Sequence, residues 1–223
     1  MTEDLLSEID VDIFRERFIT YTRKAFQMLP TLETPRILDV GCGSGLPTLE
    51  LAKLSNGEVI GIDIDQTQLE KLNRKIEEEG LSRRVKTVKC SLLEIDFPDD
   101  WFDIIWAEGS IWTIGFEKGL KEWRRLLKPN GFLVVHDAKS LVANELEKIR
   151  GWGYELFEYF MLPEAAWWTE YYRPLEIQVQ KLYTKYKNNS EALKILQNYQ
   201  NEIDVVKKNP KKHSSAFYIL QKS

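Results

Sequence analysis

Two stretches of the sequence combine residue types that can hold a ligand or move a proton. The first is ILDVGCGSG, residues 37–45, in which Asp39 precedes three glycines at alternate positions. Such a turn between a strand and a helix lets the backbone approach a ligand and points free amide N–H groups toward it. Asp63 ends the next apolar run, about twenty residues later, where a carboxylate can accept both hydroxyls of a ribose. Together they predict a ligand that contains a nucleoside.

The second stretch is WAEGSIWTIGF, residues 106–116, which follows the apolar run FDII. Glu108 is predicted to begin the segment that follows a strand, at the sheet edge where open α/β folds bind their ligands. A carboxylate there predicts a general base or an amine ligand, and the alternative is a capping or orienting role. Trp112 predicts a pocket wall whose ring face tolerates a cationic group, and the alternative is ordinary core.

The spacing of the glycines narrows the kind of nucleoside ligand. A dinucleotide fingerprint separates its last two glycines by three positions, whereas Gly41, Gly43 and Gly45 are two positions apart. The Gly-Lys-Ser/Thr sequence that holds a triphosphate does not follow the turn. The sequence therefore argues against both a dinucleotide and a nucleoside triphosphate.

Alternating strands and helices must position these residues. Five apolar runs between Arg36 and Ala138 read as strands separated by helices, which is typical of a parallel sheet covered on both faces. In the helix after Asp63, Asp65 and Gln68 form a predicted capping box. YELFEYFML and SAFYILQK add two later strands. We predict an α/β fold: a doubly wound, mostly parallel seven-stranded sheet with an antiparallel last strand and a helical cap from both termini.

We predict one domain over residues 1–223, divided into N-terminal cap helices at 1–34, a central core at 36–138 and a helical insertion at 164–210. SLVANELEKIR, between the core and the sixth strand, also reads as a helix. In the insertion, Trp168 is predicted to share a helix face with Tyr171 or Tyr172. These aromatics suggest either a small core or a lid that closes over a substrate together with the N-terminal helices. The substrate-pocket candidates are Tyr21, Trp112, His136, Trp168, Tyr171 and Tyr172.

Composition excludes several classes of function. The chain has 223 residues and a net charge of −4, so no overall positive field is available to attract nucleic acid or anionic lipid. Its acidic start is not a signal peptide, and no apolar run could span a membrane, so we expect a cytoplasmic protein. Cys42 and Cys90 suit a reducing compartment and are predicted to be small buried residues.

At this point the residues resemble a known family. LDVGCGSG followed by VIGIDID is similar to the class I S-adenosylmethionine-dependent methyltransferases of the small-molecule "type 11" kind. The resemblance covers about Arg36 to Ala138 and continues through FDIIWAEGS and EWRRLLKPNGFLVVHDA. In this chain the family's Leu-Lys-Pro-Gly-Gly turn is Lys128-Pro129-Asn130-Gly131, and asparagine is easily tolerated in a turn.

The resemblance implies S-adenosyl-L-methionine as the cofactor and S-adenosyl-L-homocysteine as the product. Asp137 with Glu108 is too small a set of acidic residues to predict a metal site. The resemblance further implies that the methionine part lies along the turn at residues 41–45 and that Asp39 lies near the amino group. It also implies that Asp63 binds the ribose and that Ile64 packs on the adenine. Ser91 stands where the family often has an aspartate that bonds the adenine amino group. The implied cofactor-binding residues are Asp39, Gly41, Cys42, Gly43, Gly45, Asp63, Ile64, Ser91, Leu92 and Glu108.

The function that follows is methyl transfer to an oxygen or nitrogen of a small-molecule acceptor, in a monomer or homodimer. Glu108 and Trp112 are the predicted catalytic residues. Transfer from a sulfonium is an in-line displacement, which needs a base only where the acceptor carries a proton that must leave. The alternatives are a methyltransferase that acts on RNA or protein and a non-catalytic cofactor-binding module. AEGS replaces the Asn/Asp-Pro-Pro-Tyr motif of nucleic-acid amino methyltransferases, which argues against nucleic acid.

Overall fold

The computed structural model describes residues 2–138 and 147–223, with side chains from Leu5 onward. The chain forms two compact units. The sheet unit is Ile19–Met161 with Ser215–Ser223, and the helical unit is the segment ending at Phe18 with Leu162–Ser214. The predicted N-terminal cap of residues 1–34 is therefore divided between the two units. The SLVANELEKIR prediction falls mostly on residues 139–146, outside the described part of the chain.

Seven strands form a single sheet in the order β3-β2-β1-β4-β5-β7-β6. All neighbouring strands are parallel except for the pairs that β7 makes with β5 and β6. This confirms the predicted mostly parallel sheet with an antiparallel last strand. The strands are β1 Arg36–Val40, β2 Glu58–Asp63, β3 Val85–Lys89, β4 Phe102–Glu108, β5 Leu127–Ala138, β6 Tyr154–Met161 and β7 Ser215–Lys222.

Helices precede, separate and follow these strands, and short 3-10 or π segments connect some of them. The α-helices are α1 Thr2–Ile9, α2 Val11–Arg15, α3 Ile19–Gln27, α4 Leu46–Leu54, α5 Gln66–Glu78, α6 Phe116–Arg124, α7 Arg173–Lys185 and α8 Ser190–Lys208. The 3-10 segments are Glu16–Phe18, Ile111–Thr113, Ile149–Trp152 and Pro210–His213, and Trp167–Tyr172 is a π-helix.

The start of α5 differs from its predicted capping box. The Asp65 side chain accepts hydrogen bonds from the backbone N–H groups of Thr67 and Gln68, as a cap should. In a capping box the N–H of the first residue bonds the side chain three positions later. Here the N–H of Asp65 donates instead to Oδ1 of Asp63 at 2.9 Å. The first turn of α5 is thus tied to the acid that ends β2.

The predicted Lys128–Gly131 turn lies inside β5 as an irregularity. Phe102 of β4 pairs with Leu127, and Ile104 pairs with Phe132, so the residues between them bulge out of the ladder. Asn130 lies there with φ of 62°, the left-handed conformation that asparagine tolerates better than other non-glycine residues. The family's glycine is therefore replaced at a position where asparagine fits.

The core of the sheet unit is aromatic at its centre. Trp106 of β4 and Trp123 of α6 are almost completely buried, on opposite faces of the sheet. Trp106 packs beside Phe26 of α3 and Phe217 of β7. Trp106 therefore lies within the sheet.

The helical unit corrects one predicted aromatic contact. Trp168 was expected to share a face with Tyr171 or Tyr172, but the ring that contacts both tyrosines is that of Trp167, at centroid distances of 5.9 and 6.4 Å. The segment is a π-helix, whose wider turn brings residues four and five apart together. Trp168 instead lies 5.7 Å from Nζ of Lys207.

Candidate active site

The glycine turn (residues 41–45) leaves the end of β1 and is tied to the end of β2. The N–H groups of Gly41 and Cys42 both donate to the carbonyl of Ile62, at 2.8 and 3.0 Å. The N–H of Gly43 donates to Oδ2 of Asp63 at 2.8 Å. Asp63 therefore holds the turn through one oxygen and the start of α5 through the other.

The three glycines of the turn have φ angles of 75°, 52° and 85°, a region that side chains rarely enter. A Cβ on Gly41 would also lie 2.5 Å from Cβ of Ser110, and a Cβ on Gly45 would collide with Leu72. Gly43 differs, because no atom lies within 4 Å of its Cβ position. The first and last glycines are required by packing, whereas the middle one faces open space.

Asp39 is a buried carboxyl group near the carboxyl end of β1. It is 1% exposed and accepts a hydrogen bond from the hydroxyl of Thr48 in α4. Burial raises the pKa of Asp39 to about 7, the hydrogen bond from Thr48 opposes that rise, and the charge of Asp63 adds to it. Near neutral pH this group is therefore poised between its charged and neutral forms.

Glu108, the last residue of β4, has one carboxyl oxygen fully engaged. Oε1 accepts hydrogen bonds from Nε1 of Trp106 at 2.6 Å and from the hydroxyl of Thr22 at 2.9 Å. Burial raises the pKa of Glu108 to about 7, the two hydrogen bonds oppose that rise, and the charge of Asp39 adds to it. The carboxyl group at the functional edge of the sheet is thus able to exchange a proton near neutral pH.

His136 pairs with Glu108 across β4 and β5, so both side chains lie on the same face of the sheet. Its Nε2 is 2.9 Å from Oγ of Ser215, its Nδ1 is 3.9 Å from Oε2 of Glu108, and its ring stacks on Phe217 at 4.3 Å. Burial lowers the pKa of His136 to about 3, so the imidazole is neutral at physiological pH.

Trp112 lies in the 3-10 turn after β4 and is 60% exposed, so the alternative of ordinary core is excluded for this residue. Its Nε1 donates to the carbonyl of Gly109 at 2.9 Å, which fixes the indole at the carboxyl end of β4. Ile64, predicted to pack on adenine, is 68% exposed directly after β2. Both apolar surfaces are available for a ligand.

Ser91 and Leu92 follow β3 in a short turn. Oγ of Ser91 accepts the N–H of Leu93 at 3.3 Å, and the carbonyl of Leu92 accepts Nε1 of Trp123 at 3.0 Å. The Ser91 hydroxyl oxygen is therefore used within its own turn. Its predicted place at the adenine stays a prediction.

The two cysteines have different surroundings. Cys42 is buried in the glycine turn, as predicted, and burial raises the pKa of its thiol. Cys90 corrects the prediction of a second buried thiol: it lies just after β3, is half-buried, and its Sγ donates to the carbonyls of Ser91 and Glu94. The pKa of Cys90 is also raised, first by burial, so neither thiol has the character of an activated nucleophile.

Asp39, Asp63 and Glu108 form a three-carboxyl cluster at the carboxyl ends of β1, β2 and β4. Their charges act on one another, since Asp63 raises the pKa of Asp39 and Asp39 raises that of Glu108. Among the described residues, no lysine or arginine forms an ion pair with any member of the cluster. A ligand with positive charge would complement this arrangement.

Several hydroxyl groups at this edge escaped the sequence analysis. Thr22 and Thr48 bond the cluster's carboxyl groups, Ser110 donates to the carbonyl of Val40 beside the glycine turn, and Ser215 contacts His136. Thr22 carried a signal, because it lies between Phe18 and Phe26 at four-residue spacing on an apolar helix face. Tyr21, the predicted candidate from α3, is half-buried one position away.

The remaining pocket candidates, Trp168, Tyr171 and Tyr172, belong to the helical unit. Within that unit Tyr171 is buried and the hydroxyl of Tyr172 donates to Glu202 at 2.7 Å. Tyr171 and Tyr172 thus form an aromatic cluster with Trp167, whereas Trp168 lies against Lys207. Their role as a lid stays a prediction.

Comparison with known proteins identifies the scaffold. Residues 37–131 match a family model described as a methyltransferase domain. The sterol 24-C-methyltransferase of Aspergillus fumigatus is 37% identical over 106 residues, which cover 47% of this chain and 28% of that protein. This match covers less than half of the chain, and it supports a class I S-adenosylmethionine-dependent methyltransferase. The resemblance seen in the sequence is confirmed, and the match spans the glycine turn, β1 to β4 and the start of β5.

Solved structures of this methyltransferase fold agree over most of the chain. A methyltransferase from Thiobacillus denitrificans in complex with S-adenosyl-L-homocysteine gives a TM-score of 0.74 at 18% identity, covering 91% of this chain and 90% of that one. The 4+2 cyclase SpnF gives 0.76 at 21% identity, covering 91% and 80%. At such identities the likeness shows the fold alone.

The chain spans well under half the length of the sterol methyltransferase that it matches. Across the described residues, every helix is too short or too polar to cross a membrane. The same residues contain no group of three or more histidine, cysteine, aspartate or glutamate side chains arranged to hold a metal ion.

Proposed function

We propose that this methyltransferase transfers a methyl group from S-adenosylmethionine to an oxygen or nitrogen atom of a small-molecule acceptor. The observation that carries the proposal is Glu108, a carboxyl group with a pKa of about 7 at the end of β4. A general base is most effective when its pKa lies near the working pH. Hydroxyl and ammonium acceptors carry a proton that such a group can take.

The residues present fit the proposed cofactor. S-adenosylmethionine carries a sulfonium and an ammonium group, and the three-carboxyl cluster supplies negative charge with no lysine or arginine partner among the described residues. The open space at Gly43 leaves room for a ligand to lie against the turn. Asp39 would face the ammonium group, Asp63 the ribose and Ile64 the adenine. When bound, the cofactor supplies an activated methyl group.

The protein's own residues then have three tasks. The glycine turn and Asp63 hold the cofactor in place, because alignment is the main requirement of an in-line displacement. Glu108 receives the acceptor's proton at Oε2, the oxygen that Thr22 and Trp106 leave without a hydrogen bond. Neutral His136 adds no positive charge beside a cationic donor. Trp112 offers an exposed aromatic face to an apolar or cationic acceptor.

Methylation of carbon is the second candidate, because the sterol 24-C-methyltransferase matches 47% of this chain. RNA or protein acceptors and a non-catalytic cofactor-binding role are further alternatives. The likeness to a 4+2 cyclase means that the fold by itself does not decide among reactions.

Cofactor binding is tested first, by titration calorimetry with S-adenosylmethionine and S-adenosylhomocysteine. We expect both to bind the parent protein and Asp63→Ala to weaken both. Failure of either ligand to bind the parent protein would contradict the whole proposal. Unchanged binding by Asp63→Ala would remove Asp63 from the ribose site.

Transfer is tested by incubating a metabolite extract with labelled S-adenosylmethionine and identifying the product by mass spectrometry. We expect an O- or N-methylated small molecule, and Glu108→Gln should lose at least about tenfold in kcat. Glu117→Gln is the matched control, since Glu117 is an exposed residue of α6 paired with Lys121. A C-methylated product, or label found only in RNA or protein, would replace the proposed acceptor class.

A further inference from the structure

Thr22 links the N-terminal part of the sheet unit to the candidate base. It lies on α3, is fully buried, and donates its hydroxyl proton to Oε1 of Glu108 at 2.9 Å across 86 positions of sequence. The indole of Trp106 donates to the same oxygen at 2.6 Å. Two donors on one oxygen restrict rotation of the carboxyl group and distinguish its two oxygens.

The position of Thr22 is determined by the contacts that anchor α3 on three sides. Arg23 forms an ion pair with Glu50 of α4, whose side chain is 9% exposed. Lys24 lies 4.0 Å above the ring of Phe160 in β6, and Phe26 packs against Trp106. A buried hydroxyl presented by so firmly held a helix is placed with little freedom.

We propose that Thr22 is a positioning residue for Glu108: with the Trp106 indole it occupies Oε1, so that Oε2 is the oxygen that meets the acceptor. This inference rests on the proposed function, because it assigns a task to one atom of the proposed base. One available oxygen suits the hydroxyl and ammonium acceptors proposed above, because each delivers a single proton.

The electrostatic surroundings give this role a measurable signature. The titratable groups beside Glu108 are Asp39 of β1 and neutral His136 of β5. Arg23, next to Thr22 on α3, is paired with Glu50. The hydrogen bond from Thr22 stabilises the ionised carboxylate and so lowers the pKa of Glu108 against the effect of burial. Loss of that bond should therefore raise the pKa, while Asp39 and His136 stay in place.

The test is Thr22→Val, which keeps the shape of the side chain and removes the donor. We expect the pKa of Glu108 to rise by about one pH unit. Carbon NMR measures this pKa, and Glu108→Gln assigns the carboxyl signal. The acidic limb of the pH profile of kcat/KM should shift to higher pH by the same amount. Thr22→Ser should restore both, and Thr184→Val, at an exposed position of α7, should change neither.

The readouts separate this inference from the proposed function. If the pKa of Glu108 moves and Thr22→Ser restores it while no methyl is transferred, Thr22 positions Glu108 but the proposed function fails. If methyl is transferred and Thr22→Val leaves both the pKa and the acidic limb unchanged, the positioning role is wrong. Should Thr22→Val not fold, Thr22→Ala removes the same donor without added bulk and is judged by the same criteria.

Discussion

At the scale of single residues, the glycine turn shows that three glycines of one motif meet different demands. All three have positive φ, but only Gly41 and Gly45 are pressed against neighbouring side chains. Gly43 faces open space and its N–H is held by Asp63. Substitutions at Gly41 and Gly43 can therefore separate the effect on packing from the effect on ligand binding.

We expect Gly41→Ala to destabilise the protein by about 2–4 kcal/mol, because a left-handed backbone and a clash with Ser110 add together. Gly43→Ala should cost about 1 kcal/mol, from the backbone alone, and should weaken S-adenosylmethionine binding more than it weakens the fold. Urea denaturation and calorimetry on both variants measure the two effects. A larger loss of stability for Gly43→Ala than for Gly41→Ala would contradict this account.

The residue scale is also where sequence reasoning stops short. Asp39, Asp63 and Glu108 could be found because each lies at or next to the end of an apolar run, and the ends of parallel strands meet at one edge. Thr22 and Ser215 could not be assigned, because their partners lie 86 and 79 positions away in the chain. A hydroxyl has no periodic pattern of its own, so its bonds are known only after the helices have packed.

At the scale of secondary structure, strands were predictable because buried parallel strands are continuous apolar runs bounded by turn residues. What the pattern does not contain is local irregularity. The bulge in β5 adds three residues against β4, and the π-helix at Trp167–Tyr172 changes which neighbouring rings meet. This is why the Lys128–Gly131 turn was expected before the strand and why Trp168 was assigned the contacts that Trp167 makes.

The β5 bulge gives a prediction about a whole element. Asn130→Gly should leave stability within about 0.5 kcal/mol of the parent, since glycine adopts φ of 62° freely. Asn130→Val should cost about 1–2 kcal/mol, because a β-branched residue is strained there. Thermal denaturation of the two variants compares them. Equal melting temperatures would mean that the bulge relaxes without strain.

At the scale of the whole molecule, the buried acids make stability depend on pH. The pKa of Asp39 and that of Glu108 are both about 7 in the fold, well above the values of 3.8 and 4.5 expected in an unfolded chain. Groups with a raised folded pKa favour folding at low pH and lose that contribution as pH rises from the unfolded toward the folded value. Their effect therefore opposes folding in a window from about pH 4 to pH 7.

In the ligand-free protein we expect these two groups to lower the free energy of unfolding across that window, each by on the order of 4 kcal/mol at most. Asp39→Asn should flatten the dependence, because it removes one ionisation. Urea denaturation at a series of pH values measures the slope. A slope that is unchanged in Asp39→Asn would show that this carboxyl group does not contribute.

The same ionisations should strengthen ligand binding as the pH rises, whereas they lower the stability of the fold. S-adenosylmethionine carries a sulfonium charge that S-adenosylhomocysteine lacks, so its affinity should rise more steeply as the pH increases toward 8. Calorimetry in buffers with different ionisation enthalpies should then show more protons released for S-adenosylmethionine. Equal proton release for the two ligands would mean that the three-carboxyl cluster does not respond to the sulfonium charge.

The place of β7 in the sheet has a consequence for synthesis on the ribosome. β6 pairs only with β7 among the described strands, and Leu162–Ser214 must be translated before β7 emerges. At roughly 5–20 residues per second this takes about 3–10 seconds. During that interval a strand carrying Leu156, Phe157, Tyr159 and Met161, each at least 39% exposed even in the finished fold, has no neighbour on either side. Such an exposed apolar strand is prone to pair with another chain until β7 emerges.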